Sequence, residues 1–290
     1  MTLRRPFRLL LAAAFLVLIV GYWNATRMPV VRRGDVWVNG WPADKRPVRV
    51  VLISDIHVAG PDMPPSRVAR IVDQINALRP DLVLIAGDLV SARWLSTRRY
   101  SFDEALAPLT ALKAPRVAVL GNHDHRRGAA AARKALFAAH ISLLENRIVR
   151  FQGLTIVGLD DMYTGSPDAR LLAKPLPKPV ILLTHSPEVV GSLPEGERLV
   201  LAGHTHCGQV VVPGVGAPVA LRKGRRSVAC GILHRNGRDF VVTAGLGTSI
   251  LPIRYGAPPD LWLLTFRPKI SSTGASKASS PTATTRPSLP

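Results

Sequence analysis

The chain has 290 residues, 47% of them hydrophobic and 6% aromatic, which is enough apolar matter for one large aliphatic core. That excludes a disordered chain or a small fold that depends on disulfide staples. With 38 Lys and Arg against 19 Asp and Glu, the formal charge of +19 favours anionic partners: phosphate esters, acidic lipid headgroups or nucleic acid.

Arg4, Arg5 and Arg8 precede an uncharged apolar run from Leu9 to Trp23, and Arg27, Arg32 and Arg33 follow it. At about 1.5 Å per residue, a helix over this run, lengthened by Asn24, Ala25 and Thr26, approaches the ~30 Å hydrocarbon core of a bilayer. Large residues such as Tyr22 and Trp23 crowd the place where small residues would mark a cleavage site. An uncleaved single-pass anchor in the cell membrane is therefore preferred to a removed signal peptide. Arg4-Arg5-Pro6-Phe7 also has a weak likeness to a twin-arginine export signal. Basic residues on both flanks leave the orientation open. Residues 1–33 are assigned to the anchor and its flanks, 34–269 to a folded domain, and 270–290 to a tail. The tail is rich in Ser, Thr, Ala and Pro and is expected to be disordered.

Within the domain, strands alternate with helices. Val48 to Ile53 is a β-branched run, and Ser66 to Leu78 carries apolar residues at helical spacing before Pro80. Asp81 to Ala86 is a second buried strand, and Phe102 to Leu112 a helix interrupted at Pro108. Val117 to Leu120 is a third strand, and Ala129 to Ala139 an Ala-rich helix. Shorter strands follow at Thr155 to Gly158, Val180 to Thr184, Leu199 to Ala202, Val210 to Val212, Asp239 to Thr243 and Leu261 to Phe266. This order predicts an α/β protein with two packed sheets.

Polar residues cluster where these strands end. Asp55, Asp88 and Asn122 each follow an apolar strand, beside Ser or Gly. His185 follows a fourth strand, and His204 with His206 a fifth. Side chains at the carboxyl ends of strands in an open α/β sheet converge although far apart in sequence. Asp55 and His57 are two residues apart, as are His204 and His206, which in extended backbone puts each pair on one side. Carboxylate, amide oxygen and imidazole without thiolate suit manganese, iron, cobalt or zinc. Taken alone, each piece is weak: Gly-Asp and Gly-Asn are ordinary turn dipeptides, and a lone histidine is more often packed than ligating. The ordered set carries the weight, since it takes five of the eight histidines: His57, His123, His185, His204 and His206.

The set resembles the calcineurin-like metallophosphoesterase superfamily. The matching pieces are Asp55-Ile56-His57, Gly87-Asp88, Gly121-Asn122-His123-Asp124, the isolated His185 and Gly203-His204-Thr205-His206. They occur in the family's order and cover roughly residues 47 to 267. The continuation Cys207-Gly208-Gln209, with Gly245 to Ser249 and Pro252 to Tyr255, is similar to bacterial single-domain, membrane-associated members. The resemblance implies a four-layer α/β/β/α sandwich with two mixed sheets between helical layers. It also implies that Asp55, His57 and His206 hold one divalent metal ion and Asn122, His185 and His204 a second, bridged by Asp88. The chemistry implied is hydrolysis of phosphodiester or pyrophosphate bonds by a metal-bridging hydroxide. His123 is implied as transition-state stabiliser or general acid. Asp124, grouped with it at the catalytic turn, is expected to orient that turn. Some relatives place a second aspartate shortly after the bridging one to support this histidine. Leu89-Val90-Ser91-Ala92 offers none, so its support is undetermined.

His125 and Arg254 are expected to reach the substrate, Arg254 through bidentate phosphate contacts. Cys207 is expected to pack beside the metals. Cys207 and Cys230 allow one bridge, but their spacing fits no zinc or redox motif, and free thiols are preferred. The basic stretch Leu221 to Ser227 is either a solvated face or a clamp for a headgroup or phosphate. An anchor with a basic surface suits a lipid-linked anionic substrate such as UDP-diacylglucosamine, whose pyrophosphate some similar enzymes cleave. A broad-specificity phosphomonoesterase is the alternative, followed by a non-catalytic scaffold of the same fold, which would be expected to lose ligands. A nuclease is disfavoured because no aromatic platform accompanies the basic residues.

Overall fold

The computed structural model describes residues 4–38, 41, 45–173, 175–194, 196, 199–218, 229–235 and 238–268. Its framework is a pair of six-stranded sheets whose inner strands are apolar on both faces. In β2 (Val48–Ile53), Val50 and Leu52 point into the space between the sheets. Val51 and Ile53 point outward toward helices. The same alternation holds in β3 (Leu82–Ala86). Burial on both faces explains why these segments read as continuous hydrophobic runs.

The first sheet has the order β1 (Val30–Val38), β12 (Asp260–Pro268), β2, β3, β4 (Arg116–Val119), β5 (Ser142–Leu143). All neighbours run parallel except β12 and β2. The second has the order β10 (Gly231–Arg235), β11 (Arg238–Val242), β9 (Leu199–Ala202), β8 (Val180–Leu183), β7 (Leu154–Gly158), β6 (Arg147–Phe151). Its four inner strands are parallel, and β10 and β6 close the edges antiparallel. Leu52, Leu84, Ile156, Ile181, Leu201 and Phe266 meet in the core between the sheets.

The outer face of the first sheet is covered by α2 (Pro65–Ala77), α3 (Phe102–Leu106) and α4 (Asn122–Ala138). In α2 the buried Val68, Ile71, Val72 and Ile75 form one stripe, started by Pro65 in the first turn, where its missing N–H costs nothing. A reciprocal Ser101–Glu104 capping box starts α3. The outer face of the second sheet is covered by short 3₁₀ helices, Ala169–Leu172 and Pro187–Ser192, through Leu172, Val189 and Val190. The fourth layer is thus thinner than the first.

Three sequence expectations change. The boundary at residue 33 cuts through β1, which pairs with β12 from Val30↔Asp260 to Val38↔Pro268. Its charges disguised it, and an edge strand tolerates them: Arg32 bonds Asp260 at 2.6 Å and Arg267 bonds Asp35 at 2.7 Å. Val210 to Val212 is no strand, because its partners are isolated bridges to Tyr255, Gly256 and Gly216. The Ala-rich helix begins earlier, at Asn122, and is broken at Gly128, whose φ of 117° a side chain would resist. Leu221 to Ser227 and the segment 270–290 lie outside the described residues.

The N-terminal helix α1 (Arg4–Thr26) contains a stretch, Phe7–Thr26, long and apolar enough to cross a membrane. Its apolar side chains are exposed from Phe7 through Val20, whereas its last turns dock on the domain. Ala25 is buried, and Gly21 packs against Tyr255 and Ile253. The carbonyl of Gly21 accepts from the Arg254 N–H at 2.9 Å, and Tyr22 Oη donates to the carbonyl of Pro61 at 3.2 Å. Arg67, buried in α2, donates to the carbonyl of Arg27 at 2.9 Å.

Candidate active site

Parallel pairing places the carboxyl ends of β2, β3, β4, β8 and β9 at one edge of the sandwich. The residues that follow them form a single buried cluster. His57 Nε2 is 3.1 Å from His206 Nε2, and Asp55 Oδ1 is 3.2 Å from the same His206 nitrogen. His185 Nε2 lies 3.1 Å from Asn122 Oδ1 and 3.2 Å from His204 Nδ1. Asp88 Oδ2 joins the two groups, at 3.5 Å from His57 Nε2 and 3.2 Å from His185 Nε2. All seven side chains that the sequence singles out as ligands therefore converge.

Each carboxylate has one oxygen held and one free to face the cluster. Asp55 Oδ2 accepts from Ser54 Oγ and from the His204 N–H at 2.9 Å, while Oδ1 is buried with no hydrogen-bond partner. Asp88 Oδ1 accepts from the His123 N–H at 2.8 Å, leaving Oδ2 between the histidines. His185 Nδ1 donates to the carbonyl of Ala86 at 2.8 Å, which turns Nε2 inward to the cluster. Backbone strain supports the arrangement: Asp55, His57, Asp88, His204 and His206 all have φ between 48° and 66°. Such conformations cost about 1–3 kcal/mol each and persist where the surroundings over-determine them. Glycines wall the carboxylates. A Cβ on Gly203 would strike Ser54 Oγ and Asp55 Oδ2, and one on Gly121 would strike Asp88 Oδ1.

The electrostatics are those of anions compensated by imidazoles. Burial opposes charge on Asp55 and Asp88, yet His206 for the first and His185 for the second hold both below the usual carboxylate range. Burial likewise opposes charge on His185, but Asp88 outweighs it and pushes the imidazole up to about 10. Burial, with His185 nearby, pushes His204 down to about 4.

The cluster fits divalent cations on three counts. The donors are borderline-hard, and Asp55 Oδ1 is an orphaned buried anion. Two atoms bound to one cation at about 2.1 Å stand roughly 3.0–3.4 Å apart. The closest contacts within each group, at 3.1–3.2 Å, fall in that range.

His123 sits at the edge of the cluster, its ring 4.6 Å from that of His57 and nearly perpendicular to it. Its support, open in the sequence, is the backbone: Nδ1 accepts from the Ala92 N–H at 3.0 Å. That bond assigns the proton of the neutral ring to Nε2. Burial lowers its pKa. Asp124 is fully buried and bonds backbone only. It accepts from the N–H groups of Leu89 at 2.8 Å and Gly121 at 3.0 Å, so it ties the Asp88 turn to the Asn122 turn. Burial and the Asp88 charge push it up to about 7.

Three other expectations are corrected. Arg254 does not face a substrate: it is fully buried and its guanidinium donates to the carbonyls of Ala244 at 2.7 Å and Ala257 at 2.9 Å. With Nη2 also 3.2 Å from His206 Nδ1, it braces the backbone behind that histidine. His125 turns to Asp160, Nε2 to Oδ1 at 2.8 Å, and fastens α4 to the loop after β7. Cys207 and Cys230 are not free but form a disulfide with Cα atoms 5.0 Å apart. The bond links the turn after His206 to the residue before β10, a juxtaposition made by tertiary structure and invisible in the spacing. Tyr163, stacked on His204 at 5.0 Å, was also missed, as no motif surrounds it.

A sandwich of two mixed sheets with an Asp, Asn and His cluster at its strand ends is an α/β fold that carries a candidate divalent-metal site. The chain belongs to the calcineurin-like phosphoesterase family, whose sequence profile matches residues 48–208, and is a hydrolase of phosphoric esters. An uncharacterized metallophosphoesterase of Helicobacter pylori strain J99 is 28% identical over 262 residues, 86% of this chain and 67% of that one. Phosphodiesterase YaeI of Escherichia coli K12 is 30% identical over 231 residues, 75% of this chain and 82% of that one. A zebrafish (Danio rerio) relative named transmembrane protein with metallophosphoesterase domain is 28% identical over 273 residues. The match covers 84% of this chain and 58% of that protein.

Proposed function

We propose that Asp55, His57 and His206 hold one divalent metal ion, that Asn122, His185 and His204 hold a second, and that Asp88 is shared between them. The observation that carries this reading is the position of Asp88 Oδ2, within 3.5 Å of His57 Nε2 and 3.2 Å of His185 Nε2. The reaction proposed is hydrolysis of phosphodiester or pyrophosphate bonds. When bound, the metals supply Lewis-acid neutralisation of phosphoryl charge and lower the pKa of water. The protein's own residues do the rest. Ser54 and the backbone amides of His204 and His123 fix the carboxylates, so the negative charge is aimed before substrate arrives. His123, held at Nδ1 by the Ala92 amide, presents its Nε2–H as a hydrogen bond to the charge developing on the departing oxygen.

The reading extends to an anchored enzyme acting on a lipid-linked phosphoester. The apolar helix α1 and the formal charge of +19 support it. The disulfide favours a catalytic domain on the oxidising side of the membrane, where such bonds persist. The test is hydrolysis of bis-p-nitrophenyl phosphate by the full chain with added manganese. Turnover that vanishes with chelation and in Asp88→Asn, with the circular dichroism of the variant unchanged, is the expected result. Turnover that survives chelation sinks the proposal.

A further inference from the structure

Three loops beside the site cluster carry exposed large apolar side chains, and one of them runs on to the residues that pack on the end of α1. The first holds Trp94 and Leu95 and begins at Ala92, whose N–H supports His123. Trp94 is 78% exposed, far more than packing alone would leave an indole. The second holds Ile250 and Leu251 and follows Gly247, which lies against Ile56 and His57. The third holds Val212 and Val215 and follows Gln209, three residues beyond His206.

The loops are locked to one another. Arg93 donates to Thr248 Oγ1 at 2.6 Å and pairs with Asp62, and Thr248 donates to Asp62 at 2.7 Å. Gln209 Oε1 accepts from the Ser249 N–H at 2.8 Å, and its Nε2 donates to the carbonyl of Leu251 at 3.0 Å. The assembly is then fastened to α1. Tyr255 and Ile253 pack on Gly21, Tyr255 Oη donates to the carbonyl of Val17, and Tyr22 reaches Pro61. Most of the exposed apolar stretch of α1, from Phe7 to Leu16, lies N-terminal to these contacts, so the helix leaves the domain beside these loops.

We propose that the loops around Trp94, Val212–Val215 and Ile250–Leu251 form an apolar rim that seats the mouth of the site against the surface of a lipid bilayer. The occupant follows from continuity: the loop of Ile250 and Leu251 runs on to Ile253 and Tyr255, which pack on a helix that would enter that bilayer, the segments bearing Trp94 and Val212 are bonded to that loop through Arg93 and Gln209, and the charge of +19 draws the domain toward anionic headgroups. Apolar side chains in rigid, cross-braced loops insert without a large ordering cost. The inference rests on the reading of α1 as an anchor and is independent of the metal chemistry.

The full chain is reconstituted with vesicles of phosphatidylcholine and phosphatidylglycerol, and flotation reports anchoring. Trp94 emission is isolated as the difference between the wild type and Trp94→Phe, a variant outside the site cluster. With phosphatidylcholine brominated near the headgroup end of its acyl chains, that difference is expected to fall by about half or more, consistent with insertion of some 5–10 Å. Flotation with a Trp94 signal quenched only by aqueous iodide overturns the rim and leaves the anchor standing. A signal quenched by neither agent, as when another protein copy covers the loop, also overturns it. Failure to float overturns anchor and rim together.

Discussion

At the scale of single residues, chemistry is governed by which atom of a side chain is held and which is free. His123 shows this best. Because the Ala92 amide occupies Nδ1, the ring offers a proton rather than a lone pair to whatever lies at Nε2. Its replacement should therefore depend on the leaving group. In His123→Gln, turnover of an alkyl phosphodiester is expected to fall about a hundredfold to ten-thousandfold. With p-nitrophenolate, which leaves without a proton, the loss should be much smaller, and steady-state kinetics on both esters measure the contrast. Equal losses would show that His123 acts on phosphoryl charge instead. The seven clustered residues were legible in sequence because each follows an apolar strand, so the strand pattern located them. Arg254 was misread because a charged residue in a motif suggests an anion. Only folding brings the carbonyls of Ala244 and Ala257 to its fork.

At the scale of elements, the strands and helices that position the site were read nearly to their ends, whereas the edges were not. β2, β3 and α2 carry strong apolar patterns, but β1 mixes Arg32, Arg33 and Asp35 with valines and looks like a charged flank. Its pairing is decided by β12, which lies far along the chain, and no local pattern contains that information. The start of β3 depends on a polar contact that is testable by pH. Asp81 accepts from the Arg49 N–H at 2.8 Å and from Arg46 at 2.9 Å, joining the starts of β2 and β3. Burial acts to raise its pKa, but these bonds, Arg46 foremost, hold it below the usual carboxylate value. A depressed folded pKa means a contribution present at neutral pH and lost as pH falls from about 4 through the folded value. Asp81→Asn should lower stability at pH 7 by up to about 1 kcal/mol, since water screens the pair, and have little effect near pH 2. Urea titrations at both pH values check it, and an equal effect at both would assign the role to shape rather than charge.

At the scale of the whole molecule, two features bind distant parts: the docking of α1 on the site loops and the Cys207–Cys230 bond. The cysteines are separated by 23 residues, and closing a loop of that size in the unfolded chain stabilises the folded state by about 3 kcal/mol. Cys230→Ser, or reduction with a dithiol, should therefore lower the unfolding free energy measured by urea titration by about 3 kcal/mol, and a change near zero would mean that the unfolded chain is not constrained there. The docking of α1 bears on how the enzyme is handled. Detaching the helix uncovers Tyr255 and Ile253 beside Arg254, so a truncated soluble fragment is not a neutral substitute for the full chain.

Gly121 and Gly203 have no functional group, yet their bare backbones are in contact with the carboxylates of Asp88 and Asp55. A random mutational screen for lost activity should recover these two positions alongside the acids themselves. Second-site suppressors should be hard to find, because the atoms that would have to yield are the carboxylate oxygens on which turnover depends. An alignment of drifted, inactive descendants would then show the glycines relaxing together with the ligands, as one unit of inheritance.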